Sequence, residues 1–400
     1  MDKAQRKYIY DIQGGEDGKK LYDAVQKAID KAKLLADVVI GLGHLGVDPS
    51  SSPWTSEEVI AHTSGFDAFI DGHSHTVMEN KQVQDASGKA VTLTQTGSYF
   101  ANVGEMTIAA DGTITTKLIP THEGMDAGIA AMQTSWVNTV DDMLGEKIAV
   151  GDSDFYVSDP ATGKRRIRSA ETNLGDFVAD GIYTYFNEVE KLHCDVAIMN
   201  GGGIRADVPA GDWTFKTCKQ VSPFGNVACL MSVTGKQIQD ALEFAARFAG
   251  EDGKENGGFL QVAGATYEIH TDIPNTVQTD EKNVWIGSAT GTPRVQNVKI
   301  YDKASGSYLP LDPGATYALA GMNYTLRNLG DGFAMFDGAE LIKDYVSEDY
   351  LVMSTYAMIF DGADVAGLPH LSSANSPLAA YPGYLLNYEQ PYGAGRITIL

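Results

Sequence analysis

An apolar run, Asp195-Val196-Ala197-Ile198-Met199, leads straight into Asn200, three consecutive glycines and then Ile204-Arg205. A short buried strand that ends this way must turn where its backbone can come very close to something else, because three residues in a row lack a Cβ. Arg205 then offers a planar fork of donors suited to a phosphate or carboxylate. Further on, Phe224 stands between Pro223 and Gly225, with Asn226 next, which places an aromatic ring on a rigid turn rather than inside a strand. Taken singly, the glycines predict only a tight turn and the phenylalanine only a core residue.

The N-terminal third repeats one pattern. Residues 36–42 read as a buried parallel strand ending in Gly43-His44, and residues 66–70 as another ending in Asp71-Gly72-His73-Ser74-His75. Between them, Thr55 and Glu58 have capping-box spacing at the start of a helix. In open α/β sheets ligands sit at the carboxyl ends of strands, where all three histidines fall. Neutral imidazole is also a common ligand for zinc-like divalent ions.

Residues 18–34 form an amphipathic helix with Leu21, Val25, Ala28, Ile29 and Ala32 on one face. Short alternating strands follow the histidines at 91–95, 104–109 and 113–118, with Ala110-Asp111-Gly112 as a hairpin turn; they are expected to complete the first sheet. A helical connector occupies 123–146, and a second domain spans 147–400. The stretch 365–392, rich in Pro, Gly, Ser and Tyr, reads as a long surface loop before a final strand.

Four hundred residues with 43% hydrophobic content allow two or more packed domains. A net charge of −22 argues against nucleic acid or an anionic membrane as partner, so an anionic ligand must be drawn by local positive charge. No stretch is long and apolar enough for a membrane span, and residues 1–7 lack the apolar core of a signal peptide. Cys194, Cys218 and Cys229 have no metal-ligand spacing and read as buried thiols.

Five blocks together resemble the C-terminal domain of the 5'-nucleotidase family, in family order. They are Glu171 to Gly175, Asn200 to Arg205, Pro223 to Asn226, Gly257 to Val262, and Asn323-Tyr324 leading to Gly330-Asp331-Gly332-Phe333. The ending Gly395 to Ile399 is similar to the family's terminal strand. The resemblance implies that Phe224 and Tyr324 clamp a nucleobase, with Tyr324 where relatives often carry Phe. It further implies Asn200 and Asn226 at the base edge, Asp331 on the ribose hydroxyls, and Arg168 and Arg205 toward the phosphate. Lys164, Arg165 and Arg166 add positive charge upstream, and Gly257 and Gly258 let the backbone approach the base. The ligand is a small nucleotide or nucleoside.

The first domain resembles the second half of the family's two-metal phosphoesterase domain, which implies His44, His73 and His75 as ligands of two divalent ions such as zinc or manganese. The family's other ligands and its catalytic Asn-His come from an earlier half. None of the eight histidines follows an asparagine, and the only Asp-x-His is Asp71-Gly72-His73. The expected architecture is therefore the C-terminal half of a metallophosphoesterase α/β sandwich (1–122), a linker helix, and a complete 5'-nucleotidase C-terminal α/β domain. By the same resemblance the expected activity is phosphate removal from nucleotides, with little catalysis by this chain alone. The alternatives are a non-catalytic nucleoside-binding module, or hydrolysis of 2',3'-cyclic nucleotides or nucleotide sugars. The resemblance also implies a periplasmic, cell-surface or secreted location, and a half-sheet whose exposed edge favours self-association.

Overall fold

The computed structural model describes residues 17–48, 51–120, 124, 126–251 and 254–400. It divides into two compact units, residues 1–129 and 130–400.

In the first unit, the helix Lys19–Lys33 buries Tyr22 and Ile29 against Val59, Ile60, Phe66, Phe69, Val91 and Leu93. Of the predicted apolar face, Ile29 is buried and Leu21, Val25 and Ala32 pack partly against the core, whereas Ala28 is exposed and Tyr22, outside that face, is buried. The strands Ile40–Leu42, Ala68–Asp71 and Ala90–Thr96 run parallel in that order, and Val77–Gln84 closes the far edge antiparallel to Ala90–Thr96. Val77–Gln84 escapes sequence reading because it is polar and mostly exposed, so it lacks the apolar alternation that marks a half-buried strand.

Three expectations need correction here. The run at 36–42 contributes only Ile40–Leu42 as strand, and Ile40 and Leu42 are exposed where the sequence predicts a buried strand. Thr55 does cap the helix Ser56–Ala61, accepting from the Glu58 amide, but the Glu58 carboxylate accepts from the Ser52 hydroxyl, so only half of the capping box forms. The strands Asn102–Ile108 and Ile114–Pro120 form their own two-stranded hairpin instead of completing the first sheet.

The second unit is built on a five-stranded mixed sheet, ordered Leu260–Ala263, Val196–Asn200, Thr316–Met322, Ala228–Thr234, Glu340–Lys343. All of Val196–Asn200 is buried, and its side chains alternate between two cores. Ala197 and Met199 join Phe177, Ile182 and Tyr356 on one side; Val196 and Ile198 join Ile238, Leu242 and Phe244 on the other. A strand covered on both faces has no polar side to show, hence its unbroken apolar sequence. The helices Asn173–Thr184 and Gly235–Ala245 supply these two covers, each capped by a threonine, Thr172 and Thr234. A second sheet ends on Ile397–Ile399, parallel to Ala265–Ile269. The helix Ala127–Leu144 has no buried residue, and residues 123 and 125 of the expected connector lie outside the described residues. Cys194, Cys218 and Cys229 are buried thiols.

The stretch 365–392 is not a surface loop. Leu371, Leu378, Tyr384 and Tyr388 are buried in the core. Tyr384 and Tyr388 each donate a 2.7 Å hydrogen bond to the Asp180 carboxylate, which also accepts from the fully buried Arg396 guanidinium at 2.7 Å. Tyrosines among prolines and glycines look solvent-facing until a distant carboxylate gives their hydroxyls a partner.

Candidate nucleoside site

The buried strand Val196–Asn200 ends at Asn200, and the three glycines that follow form one tight turn. None of them has positive φ. Their requirement is space. A Cβ on Gly201 would lie 2.3 Å from the Ile167 carbonyl oxygen, and one on Gly202 3.0 Å from that of Gly257. The Gly201 and Gly202 amides instead donate to Phe259 and Gly257 carbonyls at 2.7 Å. This close approach brings the Arg168, Gly202 and Gly257 segments around one hollow.

Phe224 and Tyr324 come from separate segments locked together by Asn323. Its side chain accepts from the Val227 amide at 3.0 Å, while its own amide donates to the Val227 carbonyl at 2.8 Å. Asp349, at the start of the helix Asp349–Met358, separately anchors the Phe224 loop by accepting from the Asn226 amide at 3.1 Å; burial raises its carboxyl above the usual range. Sequence reading named the aromatic residues but missed these staples, because nothing local distinguishes a stapling Asn from a turn Asn.

All seven predicted nucleoside residues line a single cavity of about 470 Å³: Arg168, Asn200, Arg205 and Asn226, the rings of Phe224 and Tyr324, and Asp331. That volume lies within the ordinary range of small-molecule sites. Arg205 sits over the Phe224 ring, 5.4 Å from its centroid, and donates to the Gly202 carbonyl at 3.2 Å. Arg168 is mostly buried, its Nε has no hydrogen-bond partner, and Glu255 approaches only to 3.8 Å. Burial first, then Arg165 and Arg205, lower its pKa. Two guanidinium groups lining one cavity concentrate positive charge there, which favours an anion.

The other predicted contacts divide. Gly257 lines the cavity, whereas Gly258 makes room for Asp331, whose Cβ a Gly258 side chain would meet at 3.2 Å. Arg165 pairs with Glu255 at 3.0 Å, and Arg166 bonds the Glu171 carbonyl and lies over Tyr392. Lys164 is exposed. Thus the basic run upstream of Arg168 is mostly structural or solvated.

In the first unit, the His44 and His73 rings meet edge to face, 5.2 Å between centroids, and His75 lies 6.3 Å from the Tyr99 ring. His73 and His75 hold left-handed φ values of 78° and 55°, and buried Asp71 Oδ2 has no hydrogen-bond partner. Even so, among the described residues no three His, Cys, Asp or Glu side chains are grouped to hold a metal ion. The residues present do not fit a two-metal centre.

Aromatic rings, amides and arginines gathered beyond one strand's carboxyl end of a mixed sheet have the layout in which open α/β domains hold small ligands. Residues 149–338 match the 5'-nucleotidase, C-terminal domain family, and the second unit belongs to it. The chain is 30% identical over 79% of its length to the trifunctional nucleotide phosphoesterase protein YfkN of Bacillus subtilis, of which it spans 20%. It is 26% identical over 83% of its length to human 5'-nucleotidase, of which it spans 58%. The crystal structure of a 5'-nucleotidase precursor from Thermus thermophilus matches 95% of the chain with a TM-score of 0.63 and 23% identity, the chain covering 67% of it. The fold is thus mostly a 5'-nucleotidase C-terminal domain, preceded by part of the N-terminal metallophosphoesterase domain.

Proposed function

We propose that the chain belongs to a nucleotide phosphohydrolase, and that its second unit holds the nucleoside of the substrate. One observation carries this reading: two aromatic rings, two amides, a carboxylate and two arginines converge on one cavity. Phe224 and Tyr324 would sandwich the base, Asn200 and Asn226 read its edge, Asp331 take the ribose, and Arg168 and Arg205 face the phosphate. In the same reading His44, His73 and His75 are the first unit's contribution to a divalent-metal site that needs further ligands. The location is periplasmic, cell-surface or secreted.

Arg168 and Arg205 give AMP a charge contact that adenosine lacks. AMP should bind ~3- to 10-fold more tightly, the size of one or two partly screened charge contacts, and the gap should narrow as salt rises. Calorimetric titration of both ligands at two ionic strengths is the test; adenosine and AMP of equal affinity at low salt would remove the arginines from the site.

A second expectation concerns catalysis. The 400-residue chain should release little phosphate from AMP even with zinc, manganese or cobalt, since open, ligand-poor sites hold metals weakly. Metal-dependent turnover that His75→Ala abolishes would contradict it.

The third concerns assembly. Ile40–Leu42 is the edge of its sheet among the described strands, with Leu42 83% exposed, and Leu34 and Leu35 are 84% and 79% exposed. Parallel strands are normally covered, and open edges invite pairing. A second copy offers the same edge, and two such edges pair about a two-fold axis. A dimer in sedimentation that Leu42→Lys dissociates is expected; a monomer at tens of micromolar would refute it.

A further inference from the structure

We propose that the Tyr324 hydroxyl is a positioning group for Asp331, so that the grip of this carboxylate on the ribose diol depends on that hydroxyl. The inference rests on the reading that this cavity takes a nucleoside.

Asp331 makes two direct hydrogen bonds. Tyr324 donates its hydroxyl to Oδ1 at 2.9 Å, and Asn200 donates its side-chain amide to Oδ2 at 3.2 Å. An ionised carboxylate has about four acceptor positions, two per oxygen. One neutral donor on each oxygen therefore leaves capacity on both, and Asp331 lines the cavity. Two free acceptor positions a carboxylate's width apart match two hydroxyls on adjacent carbons. They match a single hydroxyl poorly, and an ether oxygen or a methylene not at all.

The same turn fixes the ring and the carboxylate. Gly330 lies against the Tyr324 ring so closely that a Cβ there would come within 2.5–2.6 Å of three ring atoms. Asp331 itself has φ 53°, in the left-handed region, between Gly330 and Gly332. Its Cβ rests on Gly258, where any side chain would meet it at 3.2 Å. Ring, turn and carboxylate thus form one unit, and the hydroxyl closes it. A base stacked on Tyr324 then has its sugar set at a fixed distance from the carboxylate. Burial, and then the Asp331 charge, push the Tyr324 phenol well above its ordinary value, so it stays a donor throughout the accessible pH range.

Phenylalanine at this position keeps the stacking ring and removes only the bond to Asp331. That separation makes the test clean. Dissociation constants for adenosine and 2',3'-dideoxyadenosine are measured on the full chain and on Tyr324→Phe, with thermal melts to verify folding. The wild type should prefer adenosine by ~10-fold or more, and Tyr324→Phe should lose ~3- to 10-fold on adenosine with dideoxyadenosine unchanged. Asp331→Asn should abolish most of the preference. Equal losses on both ligands would show that the hydroxyl places only the ring, and no loss on either would show that it places nothing; each overturns the proposal while leaving the nucleoside reading intact. Failure of the wild type to bind either ligand would overturn both.

Discussion

Replacing Arg396 with methionine is expected to destabilise the second unit by about 3–5 kcal/mol, the cost of leaving buried charges without their partner. Arg396 is fully buried. Its guanidinium donates to Asp180 at 2.7 Å, to the Val262 carbonyl at 2.9 Å, and to the Leu385 carbonyl at 2.7 and 3.1 Å. Two buried carboxylates, Asp176 and Asp180, face this one cation, and a third, Glu171, lies beside Asp176. Glu171 in turn accepts the backbone amides of Gly395, Arg396 and Ile397, which anchors the final strand. A lower urea midpoint at unchanged slope is the expected result. An unchanged midpoint would mean that the cluster contributes no net stability.

One cation does not satisfy three carboxylates, and Asp176 carries the excess. Its Oδ1 has no hydrogen-bond partner, and Arg396 approaches it only to 3.7 Å. Burial, reinforced by Glu171 and Asp180 beside it, raises its pKa well above the ordinary carboxylate value. The folded state therefore holds a proton that the unfolded state releases above about pH 4. The corresponding stability is complete below that value and is lost as pH rises through the raised folded pKa. Asp176→Asn should flatten this decline, so urea midpoints of wild type and variant should differ more at about pH 8 than at about pH 4.5, with the variant favoured at the higher pH.

Phe224→Ala should weaken nucleoside binding by about 5- to 100-fold, from a base-stacking contact worth ~1–3 kcal/mol. Wild-type affinity itself is expected in the high micromolar to millimolar range, because association costs consume most of the gain from two rings and a few hydrogen bonds. Phe224 is 57% exposed on its turn, so removing it should leave the melting temperature nearly unchanged. Asp331→Ala should produce a loss of similar size by removing the diol acceptor. Equal binding by wild type and Phe224→Ala would show that the base does not stack there.

Much of this site was legible in sequence because its parts are short and carry their chemistry locally. The Asn200 to Arg205 and Pro223 to Asn226 blocks announce a close-approach turn, an arginine fork and a ring on a rigid loop before any fold is known. The helix Lys19–Lys33 and the buried strand Val196–Asn200 were equally readable, since an amphipathic stripe and an unbroken apolar run each have a simple physical cause. The three histidines were readable as residues but not as a centre: the fold brings His44 and His73 together without grouping three metal-binding side chains among the described residues.

Tertiary structure alone decided the rest, wherever a residue's role depends on a partner far along the chain. Asn323 staples the Phe224 loop across 96 residues, and Glu171 holds the final strand across more than 220. The tyrosines of 365–392 looked like loop residues until Asp180 gave two of them a buried partner. The polar strand Val77–Gln84 exists because Ala90–Thr96 offers it a ladder. Local sequence determined which chemical groups the protein possesses and the backbone shapes it can adopt near them. Long-range packing determined which groups meet, because a hydrogen bond between distant residues leaves no mark on the sequence around either one.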